Sequence, residues 1–188
     1  MATHGNSIMQ TASPETGLSI AANTLGATID VLTQVLSDEH LLYIKLRNCH
    51  WNVEGPHFRE LHALFEEQYE MIAARIDGVA ERMRALGAKA VGTMTEYLHR
   101  TALVERPGEF PTAKHMLRDL LEDHGTVIRF IRTSLASSQN NLDVGSVDLL
   151  TILLKDHEKM AWIVRATLSG NVDDRQPQRS ERLSVLYE

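Results

Sequence analysis

Apolar positions recur with a period close to 3.6 residues over four long stretches, and no run alternates apolar and polar residues as a half-buried strand would. The first stretch runs roughly from Leu18 to Asn52, with Leu25, Ile29, Leu32, Leu36, Tyr43 and Leu46 on one stripe. The second, about His57 to Leu86, carries Leu61, Leu64, Phe65, Ile72, Ile76, Val79 and Met83, and Gly87 follows as a left-handed cap. The third begins at Thr112, a good N-cap residue, and aligns Leu117, Leu120, Ile128, Ile131 and Leu135 before the polar run Ser137 to Asn141. The fourth, about Ser146 to Ser169, aligns Val147, Leu150, Leu154, Ala161, Val164 and Leu168, and stops at Gly170. Pro14, Pro56, Pro107, Pro111 and Pro177 all fall outside these stretches, as they must where an internal proline costs about 3 kcal/mol.

Between the second and third helices lies a long connection, about Gly87 to Pro111, with a short helical piece near Thr95 to Thr101. A connection of that length lets the third helix run parallel to the second. The expected architecture is therefore all-α: a ferritin-like four-helix bundle with a short helix in the crossover. Residues 18–170 make the bundle, and residues 1–17 and 171–188 are expected to be flexible tails.

Composition narrows the class. The 188 residues are 43% hydrophobic, enough for one domain with its own core. A single cysteine, Cys49, excludes an internal disulfide framework. No apolar run approaches the ~20 residues of a membrane span, and the first basic residue is Lys45, so the charged start of a signal peptide is missing. Net charge is -6, against a general nucleic-acid coat. A cytoplasmic globular protein is expected.

Bundles that hold metal within one chain use Glu-x-x-His pairs on core helices. Such a pair, Glu96 with His99, falls in the short connecting helix, so the usual buried di-iron site is not expected. The second helix instead carries His62 and Glu66 near its start and Asp77 and Glu81 near its end, each pair spaced i, i+4. At about 100° per residue these four share a sector roughly 120° from the apolar stripe, with the small Ala73 and Ala80 between them. Glu66 and Asp77 lie ~16 Å apart along the axis, whereas ligand bonds are about 2 Å, so one chain cannot bring all four to one metal. The midpoints of 62 and 81 and of 66 and 77 coincide, between Met71 and Ile72. A two-fold axis there sets His62 against Glu81, and Glu66 against Asp77, of an antiparallel copy and forms two equivalent sites. His50, at the close of the first helix, can add an imidazole. One such residue is simply a solvated polar position; five in this pattern point to a metal site. Few imidazoles with several carboxylates suit iron(II) or manganese better than structural zinc.

The run His50-Trp51-Asn52-Val53-Glu54-Gly55-Pro56-His57-Phe58, then Leu61-His62, Phe65-Glu66, Asp77 and Ala80-Glu81-Arg82, resembles the Dps family of mini-ferritins across about residues 18 to 170. The resemblance implies a homo-dodecameric shell with ferroxidase sites at its two-fold interfaces, two irons per site. It also implies oxidation of iron(II), preferably by hydrogen peroxide, and storage of a ferric core. Carried over by position, His50, His62, Glu66, Asp77 and Glu81 are the ligands, with zinc or manganese as substitutes. Trp51 resembles the family's tryptophan beside the site, able to take up a stray oxidising equivalent or simply to pack the turn. Asp148 is similar in position to an acidic residue of the three-fold pore; Asp143 lies nearby as a second pore candidate or an N-cap. Where this chain has Glu66 many relatives have Asp.

Other features read more plainly. His124 and His157 fall near apolar stripes and are expected to be satisfied core histidines, with a second metal or proton-transfer site as the sharper alternative. Cys49 is expected to be buried and inert. Residues 1–44 contain no Lys or Arg, and the last eighteen hold Arg175, Arg179 and Arg182 against four carboxylates, so DNA binding is expected to be absent or weak. The alternatives to a ferroxidase are a nucleoid DNA-binding protein and a non-catalytic helical assembly that binds zinc.

Overall fold

In a computed structural model, residues 17–137 and 142–170 are described. They form α1 (Ala22–Asn52), α2 (Phe58–Ala85), α3 (Met94–Arg100), α4 (Ala113–Ala136) and α5 (Val144–Gly170), with no strand among them. The expected tails, apart from residue 17, and the C-terminal arginines lie outside the described residues, as does most of the polar run after α4.

Side-chain pairings set the directions. Tyr43 meets Tyr69 and His50 meets His62, so α1 and α2 are antiparallel. Gln68 reaches Met160, Arg75 pairs with Asp156 and Arg82 with Asp143, so α2 and α5 are antiparallel too. The link between α4 and α5 is too short to make them anything else. It follows that α2 and α4 run parallel, and the residues between them must cross the bundle's length.

The core is the set of stripes read from sequence, widened. Leu32, Leu36, Leu46, Phe65, Ile72, Leu120, Ile131, Leu150 and Val164 are buried almost completely. Tyr43, Ile128, Leu154 and Leu168 are only half-buried, and Val147 is at the edge of exposure. In α1, Val31, Val35, Leu41 and Leu42 are buried as well, because the crossover covers a second side of that helix. Asp38, fully buried, accepts from the Thr101 hydroxyl at 2.7 Å and the Ala102 N–H at 2.8 Å and so pins the crossover to α1. The Tyr97 ring stacks on His40 at 3.9 Å, and the Lys45 ammonium donates to the Val104 carbonyl at 2.8 Å.

Helix ends follow local chemistry. Gly87 takes φ +84, and the Ala88 N–H reaches back to the Met83 carbonyl, closing α2 where a side chain would be strained. Thr112 sits at the N-cap of α4, but its hydroxyl bonds the His115 ring, not a backbone amide. The Glu-x-x-His pair of α3 is a capping box: Glu96 accepts from the Gly92 and Thr93 N–H groups while Thr93 accepts from the Glu96 N–H. The Thr93 hydroxyl and these amides hold the Glu96 carboxyl below its ordinary value.

Candidate metal centre

The turn after α1 brings its last turn against the first turns of α2. Val53, 2% exposed, anchors it, and Gly55 with φ +114 reverses the chain before Phe58. His50 and His62 then face each other, ring centroids 3.6 Å apart and 21° from parallel. Each Nδ1 lies on the other's backbone carbonyl: His50 to His62 at 2.8 Å, His62 to His50 at 2.7 Å. A carbonyl only accepts, so both Nδ1 atoms carry the proton and both Nε2 lone pairs are left for a Lewis acid. A metal-binding imidazole wants that tautomer, held by that kind of bond.

Glu66 stands one turn beyond His62 and accepts from the Tyr69 hydroxyl at 3.1 Å. The Tyr69 ring packs edge-on against His50, with centroids 5.3 Å apart. Burial and the Glu66 carboxylate raise the Tyr69 phenol above its ordinary value, so it stays a donor at neutral pH. Arg47 lies over the rings of Trp51, Tyr43 and Tyr69, at 4.8, 5.5 and 5.6 Å from their centroids. Trp51 is 63% exposed and so does not pack the inter-helix turn; Val53 does that.

Asp77 and Glu81 stand at the other end of α2, exposed along with Ala73, while Ala80 is half-buried. His50 and His62 are thus brought together, Glu66 follows one turn along α2 and is linked to His50 only through Tyr69, and Asp77 and Glu81 lie at the far end of the same helix. Among the described residues no three His, Cys, Asp or Glu side chains gather to hold a metal within one chain. A cavity of about 630 Å³ lies between α1, α4 and the crossover and is lined by none of the five candidate ligands. It contains Cys49, whose thiol burial pushes up to about 12, which makes it a poor ligand or nucleophile.

Asp143 is committed to structure. Its carboxylate accepts from the Gly145 and Ser146 N–H groups at 3.1 Å and pairs with Arg82 at 2.7 Å, so it caps α5 and ties it to α2. Burial pushes its pKa up, but these bonds from Ser146, Arg82 and Gly145 outweigh it and hold the carboxyl below its usual range. Asp148 is exposed one turn further on.

Tyr69 and Arg47 carry only a weak signal in the sequence, a tyrosine i+3 from Glu66 and an arginine i+4 from Tyr43. His124 and His157 lie in the core, as their place near the apolar stripes predicts, and their partners there include Glu39 and Gln68, which are in phase with the buried stripes.

A ferritin-like domain model matches residues 29–170. DNA protection during starvation protein 2 of Bacillus anthracis is 39% identical over 142 residues, 75% of this chain and 96% of its own length. The chain belongs to the ferritin-like Dps family. Among solved structures, DpsC of Streptomyces coelicolor superposes with a TM-score of 0.80 at 29% identity, covering 85% of this chain and 92% of its own. The Dps protein of Vibrio cholerae, described as a member of a broad superfamily of ferritin-like diiron-carboxylate proteins, gives a TM-score of 0.71 at 26% identity over 77% of this chain and 91% of its own. The bundle and its crossover helix are thus the Dps fold.

Proposed function

We propose that this Dps-family chain is a ferroxidase and iron-storage mini-ferritin. It oxidises iron(II), preferably with hydrogen peroxide, at sites shared between two-fold related subunits of a dodecamer, and stores the ferric product inside. The observation that carries this reading is the reciprocal His50–His62 pairing. It fixes two Nε2 lone pairs at the end of α2 that also carries Glu66, while the remaining two carboxylates lie exposed on a face with small residues. Two-fold pairing of that face brings Asp77 and Glu81 of one copy to His62 and Glu66 of the other, with His50 completing the set.

In this reading the ligands hold two iron(II) ions as substrate. One peroxide takes one electron from each ion and, with two protons, becomes two waters, so no hydroxyl radical is released. Tyr69 positions Glu66 through its hydroxyl, and Trp51, exposed beside His50, is placed to accept a stray oxidising equivalent. Asp148 serves the entry pore, while Asp143 holds the α5 start in place. Zinc and manganese fit the same donors and act as substitutes. No helix among the described residues is long and apolar enough to cross a membrane, and a cytoplasmic location is part of the proposal. The name of the Bacillus relative speaks of DNA protection. Here protection is assigned to removal of iron and peroxide, since no Lys or Arg occurs before Lys45.

The test is anaerobic loading of iron(II) followed by peroxide, with ferric absorbance read against a sizing column. Fast oxidation with iron co-eluting in a dodecamer-sized particle supports the proposal. A particle of that size oxidising iron no faster than buffer rejects the enzyme and moves the zinc-binding assembly ahead.

A further inference from the structure

One buried hydrogen-bonded chain crosses the bundle and touches all four long helices. Glu39 on α1 meets His157 Nε2 on α5 at 2.7 Å, and His157 Nδ1 meets His124 Nδ1 on α4 at 3.0 Å. His124 Nε2 in turn meets Gln68 Oε1 on α2 at 3.2 Å, and Gln68 Nε2 donates to the Met160 carbonyl. None of the four is more than 2% exposed.

The direction of every bond follows from its far end. Met160 offers only a carbonyl, so the Gln68 amide donates there and its oxygen accepts from His124 Nε2–H. His124 Nδ1 is then a lone pair, and it accepts from His157 Nδ1–H. The link from His157 Nε2 to Glu39 Oε1 requires one proton between them. The chain thus holds a fixed number of protons, and a further one has no favourable place. On His124 Nδ1 it sets N–H against N–H at 3.0 Å inside a dry core. On Glu39 Oε2, which is buried without a partner, it meets no acceptor and strips His157 of its counter-charge.

We propose that this chain is a proton-sensitive latch across the four helices, and that uptake of one further proton in acid releases it and loosens the bundle centre. Nearby charges are committed elsewhere and do not relieve it. On α1, Asp38 is held by Thr101 and Ala102, and His40 bonds the Leu36 carbonyl. On α2, Glu66 is bonded by Tyr69. On α4, Asp123 pairs with Lys45; on α5, Asp156 pairs with Arg75 and Glu158 with Arg132. Burial, and then the neighbouring His157, push His124 well below its ordinary value, in keeping with a site that rejects a proton. The folded state then binds fewer protons than the unfolded state below pH about 6.5, so stability falls as pH drops through that value.

His124→Gln tests this on the whole assembled protein, because a glutamine amide can accept from His157 and donate to Gln68 without titrating. Hydrogen exchange, corrected for intrinsic rates, gives opening constants for segments 117–131 and 150–164 at pH 6 and pH 5. One proton per chain changes an opening constant tenfold per pH unit. The wild-type constants are expected to rise roughly tenfold more than those of H124Q over that unit. Equal rises in both proteins overturn the latch. If H124Q does not fold, the wild type decides alone: constants in these segments that stay level between pH 6 and pH 5 overturn it, and a tenfold rise supports it.

Discussion

Replacing His62 by asparagine separates what the imidazole does for the fold from what it does for iron. In the native protein His62 contributes a hydrogen bond from Nδ1 to the His50 carbonyl, a ring stacked at 3.6 Å on His50, and a free Nε2. The bond is worth about 1 kcal/mol and an aromatic pair about 0.5–1.5 kcal/mol. Alanine removes both and should cost about 2 kcal/mol. The amide nitrogen of asparagine sits near the place of Nδ1 and keeps the bond, so H62N should lose only the stack, roughly 1 kcal/mol. Neither variant can offer Nε2. Both should retain a native-sized particle by sizing chromatography, with H62N melting above H62A. Peroxide-driven oxidation of iron(II), followed by stopped-flow absorbance at sub-stoichiometric iron, should fall at least about tenfold in both, the scale on which lost metal-site contacts are felt. Wild-type oxidation by an intact H62N particle would refute the assignment of His62 as a ligand, and an equal stability loss in the two variants would refute the role given to its Nδ1 bond.

Other consequences follow from contacts away from that pair. Asp143→Ala removes a cap worth about 1 kcal/mol and a half-buried partner of Arg82, so chemical unfolding at pH 7 should show a loss of about 1.5–2.5 kcal/mol. Because the folded Asp143 pKa is depressed, that contribution is complete above pH about 3.8 and fades as pH falls through the folded value; the gap between variant and wild type should close there. Asp38→Ala leaves the Ala102 N–H and Thr101 hydroxyl without their acceptor, and limited proteolysis should cut residues 101–112 faster than in wild type while sparing α2. Zinc added before iron should slow ferric formation in proportion to its occupancy of the shared donors, and a chelator specific for zinc should restore it. If zinc binds tightly and oxidation is unchanged, the two metals do not share a site.

Helix positions and the bundle class were legible from the chain alone, because a 3.6 period of apolar residues has one good way to be buried, and because prolines and Gly87 fall where helices end. The candidate ligands were legible for the same reason: i, i+4 spacing fixes a shared helix face without reference to any neighbour. The exposure of Asp77 and Glu81 beside Ala73 follows from the phase of α2. The role of Glu96 was not legible as chemistry, since a Glu-x-x-His spelling on a short helix serves equally as the far half of a capping box.

Everything that depended on contacts distant in sequence was decided by the tertiary structure. Trp51 is exposed under Arg47 because Val53 already fills the turn. Asp143 is drawn to Arg82 across 61 residues. The tautomers of His50 and His62 are set by each other's carbonyls, twelve residues away on a second helix. Glu39, Gln68, His124 and His157 become one hydrogen-bonded row only when four helices meet. A period along one helix tells which side is buried; it does not tell what stands opposite, and for polar groups in a dry core the partner determines both the proton and the function.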